Sequence, residues 1–265
     1  MISNAQIVAT IGPATKEKEM IKQLAEHQMD VVRLNFSWGT YEEHAQYIKN
    51  IREVSKELNK RIPIIQDLSG PRVQGKGEHH FENGAIEVIT SKDLADLKFG
   101  LSEGVDYVAM SFVGGAEDIL ELRAKMENFG KVVPIIAKIE RKIALDNIDE
   151  IIKVTNAIMI ARGDLGNEIP LEQIPFVEKE IIEKCKLAGK PVIVATQMMY
   201  SMIDSLIPTR AEMTDIVYAI MSGADAVMLS EESASGKHPL EVVEMMEKEI
   251  VESEKHLKDF KVNSL

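Results

Sequence analysis

The chain has 265 residues, 45% of them hydrophobic, with no long apolar run and a formal charge of −12. This composition describes a globular protein of one large or two ordinary domains, with no membrane segment and no secretory signal. The acidity argues against a nucleic-acid binder, which needs a basic face, so any anionic ligand must be met by a local cationic pocket. Cys185, the lone cysteine, lies in the helical pattern IIEKCKLAG. It reads as a packed residue in a reducing, cytoplasmic setting and excludes a disulfide framework.

Taken in order, Gln6–Thr10 reads as a strand ending in Ile11-Gly12-Pro13, after which Thr15 is positioned to cap a helix carrying Met20, Ile21 and Leu24. Val31–Leu34 is a second strand, running out in Arg33-Leu34-Asn35-Phe36-Ser37. Thr40, with Glu42 and Glu43 following, has the form of a capping box opening a long amphipathic helix to about Leu58. Ile62–Gln66 is the third strand and is followed by Asp67-Leu68-Ser69-Gly70-Pro71-Arg72. Between Gly75 and Thr90 the pattern breaks into two short runs around Asn83-Gly84, a hairpin signal. A helix from Ser91 through Leu101, a fourth strand at Tyr107–Met110 ending in Ser111-Phe112, and a helix over Ala116–Phe129 come next. Val132–Ala137 is the fifth strand, followed by Lys138-Ile139-Glu140. A helical run with Ile143, Ile148, Ile151 and Ile152 then leads to a sixth strand at Ala157–Ile160, followed by Arg162-Gly163-Asp164. Leu171–Ala188 is a helix stopped by Gly189-Lys190-Pro191. Val192–Ala195 is the seventh strand, ending in Thr196-Gln197. Thr209–Met221 is helical, Ala226–Leu229 is the eighth strand ending in Ser230-Glu231-Glu232, and Pro239 opens a last helix.

Eight strands alternating with helices over this length predict a single (β/α)8 TIM barrel across residues 1–265. The alternative is a doubly wound open sheet, but the first strand is not followed by the G-x-G-x-x-G turn that would favour it. In a barrel of parallel strands the residues after each strand ring one mouth. They are Arg33, Asn35, Ser37, Asp67, Arg72, Ser111, Lys138, Glu140, Arg162, Asp164, Thr196 and Ser230. Four cations and three carboxylates converging there suit an anion held together with a divalent metal, and Glu140 and Asp164 are two hard-oxygen ligands that could share that ion.

These residues fall in segments that resemble the pyruvate kinase family: IVATIGPA at 7–14, VVRLNFSWGT at 31–40, DLSGP at 67–71, Lys138–Glu140, IMIARGDLGNE at 158–168, PVIVATQMM at 191–199, PTRAEMTD at 208–215 and GADAVMLSEESASG at 223–236. The resemblance implies Mg²⁺- or Mn²⁺-dependent phosphoryl transfer between phosphoenolpyruvate and ADP, giving pyruvate and ATP. It implies that Glu140 and Asp164 hold the metal, that Lys138 steadies the phosphoryl group and that Arg33 binds its oxygens. Ser111 and the backbone donors of Gly163 and Asp164 would contact substrate, and Thr196, Ser230 and Glu232 would lie on the side where the enolate is protonated. Asn35, Ser37 and Asp67 match the monovalent-cation ligands. Because Leu68 and Arg72 stand where potassium-dependent members have Thr and Glu, a fixed cation replaces K⁺ and no K⁺ requirement is expected.

The departures from the family are in what surrounds the mouth. The lid domain is represented by the hairpin insert at 75–90, and no C-terminal effector domain follows the last helix. Gln74 stands at the position of an active-site arginine, and Gly114 at that of another. Enolisation is therefore expected to outlast phosphoryl transfer. Competing readings are a metal-dependent pyruvate-enolate lyase, such as an oxaloacetate decarboxylase or aldolase, and a non-catalytic or engineered barrel core. The partners expected are small molecules only, with no nucleic acid and no membrane, and the chain is expected to be a monomer or homodimer. His79-His80 reads as solvent-facing hairpin, since neighbours on a strand point to opposite faces.

Overall fold

The computed structural model of the chain describes residues 3–71 and 87–260. Arg72, Gln74, His79-His80 and the Asn83-Gly84 turn lie outside the described residues.

Eight parallel strands close into a barrel in sequence order: β1 (Gln6–Thr10), β2 (Met29–Asn35), β3 (Ile64–Asp67), β4 (Tyr107–Met110), β5 (Ile135–Ile139), β6 (Ala157–Ala161), β7 (Val192–Ala195) and β8 (Ala226–Leu229). The outer ring is built from α1 (Lys18–Glu26), α2 (Tyr41–Glu57), α3 (Ser91–Glu103), α4 (Ala116–Asn128), the pair α5 (Lys142–Asp146) and α6 (Ile148–Val154), then α8 (Ile174–Leu187), α9 (Arg210–Ser222) and α11 (Pro239–Phe260). Two one-turn helices, α7 (Arg162–Leu165) and α10 (Glu231–Ala234), sit directly on the ends of β6 and β8. The (β/α)8 architecture is the one the alternation predicts.

Three helices start with a threonine capping box, Thr40 with Glu43, Thr90 with Asp93 and Thr209 with Glu212. Thr15 does not cap α1. It is buried, its Oγ1 accepts from the Gly12 N–H at 3.1 Å, and the helix begins three residues later without a side-chain cap. The fifth strand begins at Ile135 rather than Val132, because Pro134 has no N–H to give to a ladder. It extends through Ile139, so Lys138 is a strand residue rather than the first residue of a loop. The helix before β7 opens as a 3₁₀ turn, Leu171–Gln173, with Pro175 at the first turn of α8.

The floor of the barrel follows one rule. One N–H at the start of each odd-numbered strand, on the first residue of β3, β5 and β7 and the second of β1, is accepted by an Asp or Asn at or just before the next strand. Asp30 accepts from Ile7 at 3.0 Å, Asp106 from Ile64 at 2.8 Å, Asn156 from Ile135 at 2.9 Å and Asp225 from Val192 at 3.0 Å. Buried backbone donors are almost always paired, and here side chains supply the pairing.

A different carboxylate holds the chain on either side of residues 71–89. Asp93, fully buried in the first turn of α3, accepts from Gly70 N through Oδ1 at 3.0 Å, and from Thr90 N and Thr90 Oγ1 through Oδ2 at 2.9 and 2.6 Å.

Candidate active site

Side chains alternate across a strand, so a residue two places after an inward one also points inward. The inner core of the barrel contains Val8, Val31, Ile65, Ala109, Ile136 and Met228. Two residues further on stand Thr10, Arg33, Asp67, Ser111, Lys138 and Ser230. An apolar layer is therefore roofed by a polar one, at the carboxyl ends of the strands.

The polar layer is a single network. Arg33 Nε donates to Asp67 Oδ2 at 2.6 Å, and its Nη1 donates to Thr10 Oγ1 at 3.1 Å. Lys138 Nζ lies 3.1 Å from Asp67 Oδ1 and 2.9 Å from Glu140 Oε1, and donates to Ser111 Oγ at 2.7 Å. Ser111 Oγ in turn donates to Leu68 O at 2.7 Å. None of the four charged residues is more than 7% exposed. Buried charges persist only when paired, and two cations with two carboxylates balance here.

Glu140 does a second job. Its Oε2 accepts from Phe112 N at 2.7 Å, and Arg141 Nη1 donates to Phe112 O at 3.3 Å. Phe112 follows β4 with φ +60°, a left-handed conformation that costs a bulky residue of order 1–3 kcal/mol unless its surroundings impose it. Arg141 also lies against Gly114, where a β-carbon would stand 3.3 Å from its Nη1.

On the opposite side of the mouth Gly163 N donates to Thr196 Oγ1 at 2.8 Å, and that hydroxyl donates to Ala195 O at 2.6 Å. Asp164 sits beside Gly163 in the single turn of α7. Glu232, fully buried, accepts from Ser230 N at 2.7 Å and Met199 N at 3.4 Å, tying the ends of β7 and β8 together. Its burial pushes the carboxyl above the ordinary glutamate value. Asn35 Oδ1 accepts from Ser37 N at 3.1 Å.

Arg162 leaves the ring of mouth residues. Its guanidinium turns into the wall between β6 and β7, donating to Thr196 O at 2.8 Å and Asp215 Oδ1 at 2.6 Å, with Glu178 Oε2 at 3.3 Å. Glu178 and Asp215 are absent from the strand-end list because they lie on α8 and α9. The sequence signal for Asp215 is its place at the end of PTRAEMTD, and Glu178 has none, being one acid among many on its helix.

Between the ends of β1, β2 and β8 opens a cavity of about 500 Å³, lined among others by Pro13, Arg33, Asn35, Trp38, Tyr47 and Ser230. Trp38 is 68% exposed, a large ring at the rim of a cavity whose inner end is a buried guanidinium. Sequence reasoning missed this cavity, because three loops far apart in the chain make it.

The family profile described as pyruvate kinase, barrel domain, matches residues 2–88 and 82–243, two stretches that meet within the insert. A pyruvate kinase of Thermococcus litoralis is 38% identical over 323 positions, covering 92% of this chain and 68% of that protein. One of Bacillus licheniformis is 36% identical, covering 98% of this chain and 58% of its own length, and one of Thermotoga maritima is 34% identical, covering 97% and 72%. The alignment with the Thermococcus protein is longer than the 265 residues of this chain, so that relative carries residues inside the aligned region that this chain lacks. Barrel, motif positions and these matches agree: the chain belongs to the pyruvate kinase family and carries its barrel domain.

Proposed function

We propose that the mouth of the barrel transfers a phosphoryl group between phosphoenolpyruvate and ADP, giving pyruvate and ATP. The observation that carries this reading is the buried pair Arg33 and Lys138, both held on Asp67, with Arg33 lining the cavity of about 500 Å³. A phosphoryl group in flight is stabilised by fixed positive charge and in-line positioning rather than by covalent help. In this reading Lys138 neutralises the phosphoryl oxygens, with Ser111 steering its ammonium, and Arg33 reaches the same group from the cavity side. Asp67 holds both cations in register. The cavity takes the nucleotide, with Trp38 at its rim as an aromatic face.

The family implies a divalent ion, and the residues fit one. Glu140 and Asp164 follow adjacent strands and supply hard oxygens. Among the described residues no group of three or more His, Cys, Asp or Glu could form an all-protein cage. Mg²⁺ characteristically takes one or two protein carboxylates and completes its shell with water and substrate oxygens. Bound there, the ion would act as a Lewis acid toward an enol oxygen and carboxylate. On the other side, Thr196 and Ser230 lie where a proton reaches the methylene carbon, and Gly163 N is a donor for the substrate carboxylate. That donor is paired with Thr196 Oγ1, so in this reading substrate binding exchanges one acceptor for another.

A coupled assay with phosphoenolpyruvate, ADP and Mg²⁺, run beside proton NMR of pyruvate methyl exchange in D₂O, tests the proposal. ATP formation together with exchange supports it. Exchange without ATP formation assigns the mouth to enolate chemistry alone, and neither activity refutes an enzymatic role.

A further inference from the structure

Two consecutive residues after β7 are left-handed without being glycine: Thr196 at φ +71° and Gln197 at φ +56°. A β-branched residue in that region is a genuine outlier and persists only where its surroundings over-determine it. The surroundings here are the Arg162 cluster. The two ends of one guanidinium are used separately: Nη2 donates to the Thr196 carbonyl at 2.8 Å and also meets Met198 Sδ, while Nη1 is anchored on Asp215 at 2.6 Å and Glu178 at 3.3 Å. Asp215 belongs to α9 and Glu178 to α8, so the outer helices grip the fork and the fork grips the strained peptide. Glu178 is itself almost wholly buried and its Oε1 has no hydrogen-bond partner, and among the described residues Arg162 is the cation paired with that carboxylate. The result is directional. With the Thr196 backbone in this conformation its hydroxyl lies 2.8 Å from Gly163 N, on the turn that begins with Arg162 itself. Phe112 provides an internal parallel, a second left-handed residue held by side chains from the adjoining strand end, Glu140 and Arg141.

We infer that Arg162, braced by Asp215 and Glu178, is a positioning residue that holds the Thr196 backbone in its left-handed conformation and so aims the Thr196 hydroxyl at the β6 loop. The inference rests on the reading of the mouth as an enolate and phosphoryl-transfer site only for its effect on rate, because its structural content stands without it. A lysine at this position keeps the charge but loses the planar fork, and one ammonium is not able to span Thr196 O and Asp215 in the same way.

The test uses the full chain with threonine methyls labelled with ¹³C, the Thr196 signal being assigned by its loss in Thr196→Val. In Arg162→Lys and Asp215→Asn the Thr196 methyl is expected to shift or broaden while the methyls of Thr40 and Thr90, across the barrel, stay in place. In the same variants kcat for ATP formation and for methyl exchange is expected to fall at least tenfold, with KM for phosphoenolpyruvate within threefold of wild type. An unmoved Thr196 methyl in the folded variants overturns the inference, as does an unchanged kcat in an active wild-type background. If the wild type has neither activity, the functional reading fails and the methyl signal alone decides the positioning role. If Arg162→Lys does not fold, Asp215→Asn reads the same contact, and loss of folding in both makes the cluster a stability element and overturns the inference as well.

Discussion

The Lys138 ammonium stands 2.9 Å from Glu140 Oε1, so a protein cation is paired with the carboxylate that a divalent ion is proposed to use. Metal and lysine then compete for one oxygen, with Asp67 as the lysine's second partner at 3.1 Å. Removing the lysine as Lys138→Met leaves Glu140 and Asp67 with less neutralising charge. We expect Mn²⁺ to bind at least tenfold more tightly to that variant by titration calorimetry or electron paramagnetic resonance, while ATP formation is lost. Glu140→Gln is expected to abolish Mn²⁺ binding. Unchanged affinity in both variants would remove Glu140 from the metal site.

A second outcome concerns monovalent ions. Lys92, on α3, donates to Phe36 O at 2.6 Å and Ser69 Oγ at 3.3 Å, and pairs with Asp96 at 2.5 Å. Phe36 lies between Asn35 and Ser37, and Ser69 is two residues beyond Asp67, so an ammonium stands against the loops whose residues match the family's monovalent-cation ligands. A K⁺ ion beside it would meet a like charge that already holds the acceptors Phe36 O and Ser69 Oγ, although Asp96 offsets part of that charge. Activity is expected to be the same in K⁺ and tetramethylammonium at equal ionic strength, and Lys92→Met to acquire K⁺ activation. A tenfold rise of wild-type activity on adding K⁺ would show that Lys92 is not the resident cation.

Glu178 makes stability depend on pH. Burial raises its carboxyl to about 7, against the lowering influence of Arg162. The folded state therefore holds the proton more tightly than the unfolded chain does. The stabilisation is complete below the unfolded value near 4.5 and is lost as pH rises through about 7. The loss is about 3 kcal/mol at most. Urea unfolding between pH 5 and 8 is expected to show a falling midpoint that flattens in Glu178→Gln. Parallel curves for the two proteins would contradict it.

The floor offers a purely structural check. Asp106 accepts from Ile64 N and pairs with Arg52 at 2.8 Å. Asp106→Ala leaves a strand-start N–H without its partner and should cost about 1–3 kcal/mol in denaturant unfolding. Asp106→Asn keeps an acceptor and should recover part of that loss. Equal destabilisation by both would locate the effect in the ion pair instead.

Much of this was legible in the chain because period-two alternation and strand-end chemistry are local. Val31-x-Arg33, Ile65-x-Asp67 and Ile136-x-Lys138 each carry an apolar residue below a charged one, and the eightfold alternation with helices sets them in one ring. Arg162 shows the limit of that reasoning. It follows β6 directly, as Glu140 follows β5, but Ala157 and Met159 point inward, so alternation turns Arg162 outward where it turns Glu140 inward; its partners Glu178 and Asp215 are brought near only by the packing of α8 and α9 against the strands. The cavity beside Arg33 was illegible for a similar reason, since Pro13, Trp38 and Ser230 have no sequence relation. Thr15 has the residue type of a cap but lies too far before α1, and was claimed by the Gly12 turn.

The two hydrogen-bond arms of Asp93 have a consequence for how this barrel can change over evolutionary or engineering time. One carboxylate oxygen takes the chain as it leaves β3 and the other takes it as it re-enters at α3, so both ends of the intervening stretch are moored to the same buried helix turn. Whatever is spliced between those moorings transmits little force to Asp67 and the strand below it. The barrel thus has a socket, a point where modules of different size can be exchanged without re-registering the strands that carry the charges. Grafting a folded module between Pro71 and Glu87 should therefore leave the barrel's own unfolding midpoint nearly unchanged, whereas the same graft into an Asp93→Ala background should not.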